Sequence, residues 1–235
     1  MARPPGAGAG RGRGAVPKMP PRQEAELRTL VLVPEQQSAP RARPVPGPGR
    51  APAGPQSALG LAPGSASEPA FELQPLRADH APAVLAFERA NRAYFAASIP
   101  DRGDAYFAQF AARHRALLDE QSLGICYFHV LVAADGEVLG RVNLVDVAGG
   151  SAELGYRIAE RAAGRGLATA AVRAVCARAA TEYGLTTLEA ETTLDNAGSR
   201  AVLARTGFVV AGETTLDGRP GLRFVRDLRA EAGAR

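Results

Sequence analysis

The chain has no tryptophan, only two cysteines, and no apolar stretch near the roughly 18 residues that a membrane span requires. No positive, apolar, small-residue order marks a secretory leader either, so a cytoplasmic protein without a membrane partner is expected. Cys126 and Cys176 lie 50 residues apart in apolar surroundings with no CxxC pair, which predicts reduced core residues rather than a disulfide. His80, His114 and His129 are scattered without metal-ligand spacing, and no metal is expected. Aromatic residues are missing from one whole region. None of the 13 Phe and Tyr residues falls within residues 1–66, which hold 13 of the 18 prolines and 10 of the 26 glycines. Such a segment cannot offset its ordering entropy by burial, and its one apolar run, Leu30 to Val33, is too short to change that. Residues 1–66 therefore read as a disordered Pro/Gly/Arg-rich tail.

Residues 67–235 are of a normal size for a single α/β domain and can support a full core. Charge divides at the same boundary. The tail carries nine basic against three acidic residues, and the remainder 19 against 21, so the sequence pI near 9.5 describes mainly the tail. A basic, extended arm suits RNA, a ribosome or another anionic surface. The same composition also fits an unselected extension ahead of a start at Met19 or later. Nothing in the sequence specifies an oligomeric state.

Phe71-Glu-Leu-Gln-Pro-Leu76 alternates as a short half-buried strand, and Asp79 follows as a helix N-cap with Pro82 in the first turn. Val84, Phe87, Ala90 and Tyr94 recur at helical spacing, and a second helix is predicted over 104–119, ahead of Gly124. Strands at 126–133 and 138–147 flank the Asp135-Gly136 hairpin signal, and Gly149-Gly150 turns into a strand at 152–158. Leu167, Ala171, Val172, Val175, Cys176 and Ala179 define the clearest helix, with Gly184 as its C-cap. A strand at 187–192, a helix from Asp195-Asn196 to Gly207, and strands at 208–211 and 222–228 complete the order. An antiparallel meander feeding a strand-helix-strand unit implies a mixed sheet packed by helices.

The chemistry lies where the strand Glu153-Leu-Gly-Tyr-Arg-Ile158 gives way to Arg161-Ala-Ala-Gly164-Arg165-Gly166-Leu167-Ala168, which opens the long helix. Glycines allow close backbone approach, several N–H groups face one point, and the helix macrodipole joins the charges of Arg161 and Arg165. That set suits a pyrophosphate. Context is essential, because Arg3-Pro-Pro-Gly6-Ala-Gly8 in the tail has the same Arg-x-x-Gly-x-Gly spacing with neither strand nor helix around it. A Rossmann fingerprint is disfavoured, since Gly164-x-Gly166-x-x-Thr169 lacks the third small residue. The alternative is a glycine turn that only caps the helix.

Thirty residues on comes Asn196-Ala-Gly-Ser199-Arg200-Ala-Val-Leu203-Ala-Arg-Thr-Gly207-Phe208. Together, the Glu153-Leu-Gly-Tyr156 strand, the 161–168 turn and Asn-x-x-Ser before Gly-Phe resemble the GNAT superfamily of N-acetyltransferases. The branch they resemble most is that of ribosomal-protein-alanine N-acetyltransferases. The resemblance covers roughly residues 71–228. It implies an α/β (α+β) fold: a mixed, mostly antiparallel sheet of about seven strands, splayed at the strand ending near Ile158 and flanked by about four helices. It further implies acetyl-CoA as co-substrate. Backbone groups of Tyr156, Arg157 and Ile158 would meet the pantetheine arm and polarise the thioester. Arg161, Gly164, Arg165, Gly166, Leu167, Ala168 and Thr169 would hold the pyrophosphate, and Asn196 would contact the pantetheine, or serve as an ordinary N-cap.

Many relatives of this kind carry a tyrosine seven residues after the Asn, to protonate the departing thiolate, where this chain has Leu203. Ser199 is the nearest hydroxyl and takes that role here, unless as the third helical residue it is structural. Glu153 is the candidate general base, unless strand alternation turns it outward, with Glu191 and Asp217 as alternatives. Direct transfer to a primary amine in a ternary complex is expected. Energetics favour an α-amine such as a ribosomal protein's N-terminus: at pH 7.4 a lysine costs roughly 4 kcal/mol to deprotonate and an α-amine much less. A polyamine or aminated antibiotic stays open, as does a catalytically silent acyl-CoA-binding module whose tail contacts RNA.

Overall fold

The computed structural model describes residues 71–229, and the tail and its domain boundary lie outside them. Seven strands run β1 (Glu72–Pro75), β2 (Tyr127–Val132), β3 (Val138–Ala148), β4 (Ser151–Ile158), β5 (Thr187–Thr193), β6 (Val209–Leu216) and β7 (Arg219–Asp227). They form one sheet in the order β1-β2-β3-β4-β5-β7-β6, antiparallel throughout except for the β4–β5 pair. The helices are α1 (Ala81–Ala90), α2 (Arg92–Ala96), α3 (Gly103–Ala108), α4 (Phe110–Ser122), α5 (Leu167–Thr181) and α6 (Ala197–Arg205), with 3-10 turns at Ala78–His80 and Glu160–Ala162. None of these helices is long and apolar enough to cross a membrane.

The seven-stranded, mostly antiparallel sheet and the order of strands along the chain agree with the sequence reading, but among the described residues the helices are six rather than about four. The predicted helix at 104–119 breaks at Gln109, whose ψ of 9° ends α3 and starts α4. Asp79 is not an N-cap. It lies inside the 3-10 turn, and His80 precedes α1 instead. Strands β6 and β7 run further than 208–211 and 222–228, because Asp217 and Gly218, with φ of 48° and 77°, close a two-residue hairpin between them.

Strand alternation divides the sheet into two faces. Arg141 and Arg157 are cross-strand neighbours, and both reach Glu88, so α1 covers the face that also carries Asn143, Glu153 and Gly155. The opposite face carries Val142, Leu144, Leu154 and Tyr156, and α5 packs there through Leu167, Ala171, Val172, Val175, Cys176 and Ala179. Residues 154–158 are therefore buried from both sides. Both cysteines are buried and free. The three histidines serve separate structural contacts: His80 with Gln74 and the Arg77 N–H, His114 with the Arg77 carbonyl, and His129 with Tyr183 and the Val142 carbonyl.

Candidate active site

A seam between two parallel strands opens partway along its length. β4 is paired to β3 from Ile158 to Glu153, but to β5 only at Ser151↔Thr187, Ala152↔Leu188 and Glu153↔Glu189. Past Glu153 the two strands part, while β5 stays paired to β7 as far as Thr193. Continuing the register puts Gly155 opposite Glu191, and Tyr156 opposite Thr192, across a gap with no ladder. One backbone edge of residues 154–158 is thus left without a strand partner, and buried peptide groups in that state call for one.

On the α5 side of the gap the Tyr156 hydroxyl, Thr192 Oγ1 and Asn196 Nδ2 are buried and lack hydrogen-bond partners. Asn196 follows β5 after Leu194 and Asp195, and its Oδ1 accepts from the Ser199 N–H at 2.9 Å, capping α6. The N-cap role is therefore real, and it leaves the amide nitrogen without a partner. Ser199 is fully buried, and its side chain approaches the Tyr156 hydroxyl without reaching good hydrogen-bond geometry. Burial pushes the Tyr156 phenol well above its ordinary pKa, with Ser199 opposing weakly. Leu203, where a tyrosine would stand in many relatives, is fully buried in the core. Sequence reasoning credited Tyr156 only with its backbone and missed Thr192 altogether. Alternation puts both side chains on one face, but their opposition depends on the β4–β5 register.

Ile158 leads through the 3-10 turn to Gly164 and Gly166, both left-handed with φ of 73° and 79°. Gly166 is the N-cap of α5, and a Cβ built there meets nothing within 4 Å, so the helix start faces open space. Ala170 N–H is bonded to the Gly166 carbonyl, whereas Leu167, Ala168 and Thr169 precede the first intrahelical bond and their N–H groups have no acceptor within the helix. Arg161 and Arg165 are exposed at this end, Arg161 paired with Glu137. Free N–H groups, a positive helix end and two exposed guanidinium groups fit a pyrophosphate.

The other face of the gap is the charged one. The Arg157 side chain lies on the face opposite Tyr156 and, with Arg141, holds Glu88 at 2.9 and 3.0 Å in a cluster only 2–3% exposed. Burial opposes the Glu88 charge, but Arg157, Arg102 and Arg141 outweigh it and hold the carboxyl at about 2. Sequence reasoning missed Glu88, although its place beside Phe87 on the buried stripe of α1 was a signal. Glu153 is half-buried on this face at the closed end of the gap, and Glu191 lies beside the parted stretch. Asp217 is exposed in the β6–β7 turn. Arg219 of the same hairpin bonds Asp195 and the Ser98 carbonyl.

The Acetyltransferase (GNAT) domain family matches residues 71–209, more than half of the chain. A probable N-acetyltransferase of Bacillus subtilis, YjcK, is 29% identical over 142 residues, covering 58% of this chain and 78% of that protein. Among solved structures, Mycobacterium smegmatis RimJ in complex with CoA-disulfide is 28% identical with a TM-score of 0.61, over 69% of this chain and 83% of its own. The Vibrio fischeri ribosomal-protein-S5-alanine acetyltransferase superimposes with a TM-score of 0.64 at 19% identity, over 68% and 93%, a likeness of fold.

Proposed function

The chain belongs to the GNAT acetyltransferase family and is an acetyl-CoA-dependent N-acetyltransferase; from that premise we propose that it passes acetyl directly to a primary amine, an α-amine such as a protein N-terminus, within a ternary complex. The observation that carries this reading is the parting of β4 from β5 after Glu153, directly beside the glycine turn that opens α5. Along the gap lie peptide groups without a strand partner and three buried, unpartnered polar side-chain atoms, the complement that an amide-rich pantetheine arm needs.

The residues divide the work. Gly164, Arg165, Gly166, Leu167, Ala168 and Thr169, with Arg161, hold the pyrophosphate. Asn196 Nδ2 and the free edge of Tyr156, Arg157 and Ile158 hold the arm, and a donor on that edge polarises the carbonyl that the amine attacks. Acetyl-CoA supplies an activated acyl group. As the C–N bond forms and the C–S bond breaks, a carboxylate on the charged face, Glu153 or Glu191, accepts the amine proton. Ser199 gives its hydroxyl proton to the leaving sulfur and regains one from water as the thiol product departs. An α-amine is partly neutral at physiological pH, which asks little of the base.

The test is to mix the full chain with acetyl-CoA and a panel of N-terminal peptides and small amines, following free thiol and product mass together. Amine-dependent thiol release with a matching acetylated product is expected. Binding of acetyl-CoA with no acetylated product from any amine refutes the reading.

A further inference from the structure

Asn143, on β3, is fully buried, yet neither its Oδ1 nor its Nδ2 has a hydrogen-bond partner. Among the described residues no other side-chain amide is left so at both ends. A buried carboxamide in this state bears the desolvation cost of a donor and an acceptor, which an apolar side chain of the same size would not. With no bond at either end, nothing in the protein fixes which way the amide is turned. The polar side chains of the neighbouring row, Arg141 and Arg157, bond Glu88 instead.

The place of Asn143 in the sheet limits what can reach it. The ladders pair it with Phe128 on β2 and with Gly155 on β4, and the β4–β5 register continued past Glu153 puts Gly155 opposite Glu191. One face of the sheet therefore carries, in a row, Phe128, Asn143, the bare Gly155 backbone, the gap and Glu191. Phe128 is buried and fills one flank of the amide. Gly155 contributes no side chain on the other, so only one strand spacing, about 5 Å, separates Asn143 from the edge where the thioester is held. An amine that attacks the thioester from this face passes over Gly155, with the Asn143 amide on one side of it and the Glu191 carboxylate on the other.

We propose that Asn143 binds the acceptor and selects its class: Oδ1 accepts an N–H of the attacking amine, and Nδ2 donates to a carbonyl oxygen on the adjoining carbon. An α-amino acyl end, as at a peptide N-terminus, presents that donor and acceptor side by side, in the complement of a carboxamide. A polyamine presents donors alone and leaves Nδ2 unpaired. The bond at Oδ1 also turns the amine lone pair toward the carbonyl carbon, which is the contribution of orientation to the rate. This rests on the amine-acetyltransferase reading and adds to it the residue that chooses the α-amine.

The experiment measures kcat/KM of the full chain for alaninamide and isopropylamine, which differ only by a carboxamide or a methyl group on the same carbon. Each value is corrected for the fraction of neutral amine. Wild type is expected to prefer alaninamide by at least about tenfold, the scale of one hydrogen bond whose loss leaves a buried donor unpaired. In Asn143→Leu that preference should disappear, and comparing one substrate pair in two proteins cancels the difference in intrinsic nucleophilicity. CoA affinity measured without acceptor should be unchanged. The melting temperature should be unchanged or raised, because an apolar side chain of similar size replaces an unpaired amide. Lost selectivity in a protein no less stable is not the outcome of a structural asparagine. Asn143→Ala repeats the measurement if leucine is too bulky, and a fold that tolerates neither change makes the residue structural and overturns the inference. An equal preference in wild type and variant, or none in wild type, overturns it too and leaves the acetyltransferase reading standing. No acetyl transfer to any amine overturns both.

Discussion

The two ends of the Asn196 amide can be tested separately, because Oδ1 caps α6 while Nδ2 is buried without a partner. Asn196→Asp keeps a good capping acceptor and removes the donor, so stability should change by less than about 0.5 kcal/mol while CoA affinity falls. Asn196→Ala loses both, and should in addition cost about 1 kcal/mol of stability. Calorimetry and melting curves on the two variants separate the roles, and equal CoA affinity in wild type and Asn196→Asp would remove Nδ2 from the site. For Ser199, the capping bond uses the backbone N–H, so Ser199→Ala leaves the cap in place. The change should lower kcat about 10²-fold with little effect on acetyl-CoA affinity, the low end for a general acid because a thiolate leaves readily. A fully active variant with a lowered melting temperature would instead mean that Ser199 only supports the buried Tyr156 hydroxyl. The motif made Asn196 and Ser199 legible in the sequence. The Tyr156 side chain and Thr192 were not legible, because each gains meaning only from the other across the parted strands.

Among the elements, the start of α5 carries the cofactor argument. Gly166 is left-handed with open space where a Cβ would point, so Gly166→Asp fits sterically, at about 1–2 kcal/mol of backbone strain partly offset by a favourable N-cap carboxylate. The same carboxylate would sit where a pyrophosphate binds, and CoA affinity should drop at least tenfold in a protein that remains folded. A titration showing unchanged affinity would move the phosphates elsewhere. α5 itself was readable because its apolar spacing is long and unbroken, and Leu167 through Ala180 indeed form its buried stripe. The β6–β7 hairpin was less well read, although Asp217-Gly218 is the same turn signal as Asp135-Gly136. Its flanking residues are largely exposed, and Val209 and Val210 are 66% and 57% accessible, so the usual apolar alternation is weak there. The break between α3 and α4 left no mark either, since Gln109 is a fair helix former and only packing imposes the bend.

At the scale of the whole molecule, buried titratable groups couple the fold to pH. His129 is fully buried, 3.2 Å from the Val142 carbonyl through Nδ1 and 2.8 Å from the Tyr183 hydroxyl through Nε2. A carbonyl only accepts, so Nδ1 carries the proton, Nε2 accepts from Tyr183, and the ring is held neutral. Burial lowers its pKa from 6.5 to about 4, with the Val142 bond opposing. Between those values the unfolded chain binds a proton that the folded one does not. Stability from this group is therefore complete above about pH 6.5 and declines toward pH 4, by about 3 kcal/mol in all. His80 and His114, lowered chiefly by burial, act in the same direction, and Glu88 extends the loss below its ordinary 4.5. Melting temperatures should fall steadily from pH 7 to pH 4.5, and a flat profile would contradict the buried neutral ring. Nothing in the spacing of the histidines announces this, because a pKa is set by what surrounds a group in space. The sequence by itself determined the order of strands and helices, the glycine turn and the Asn-x-x-Ser motif, since each rests on local periodicity, turn chemistry or capping. Only the tertiary structure decided where β4 leaves β5, which polar atoms border that gap, and that Glu88, Arg141 and Arg157, up to 69 residues apart in the chain, share one buried site. Those facts depend on long-range register and on desolvation, which no local pattern encodes.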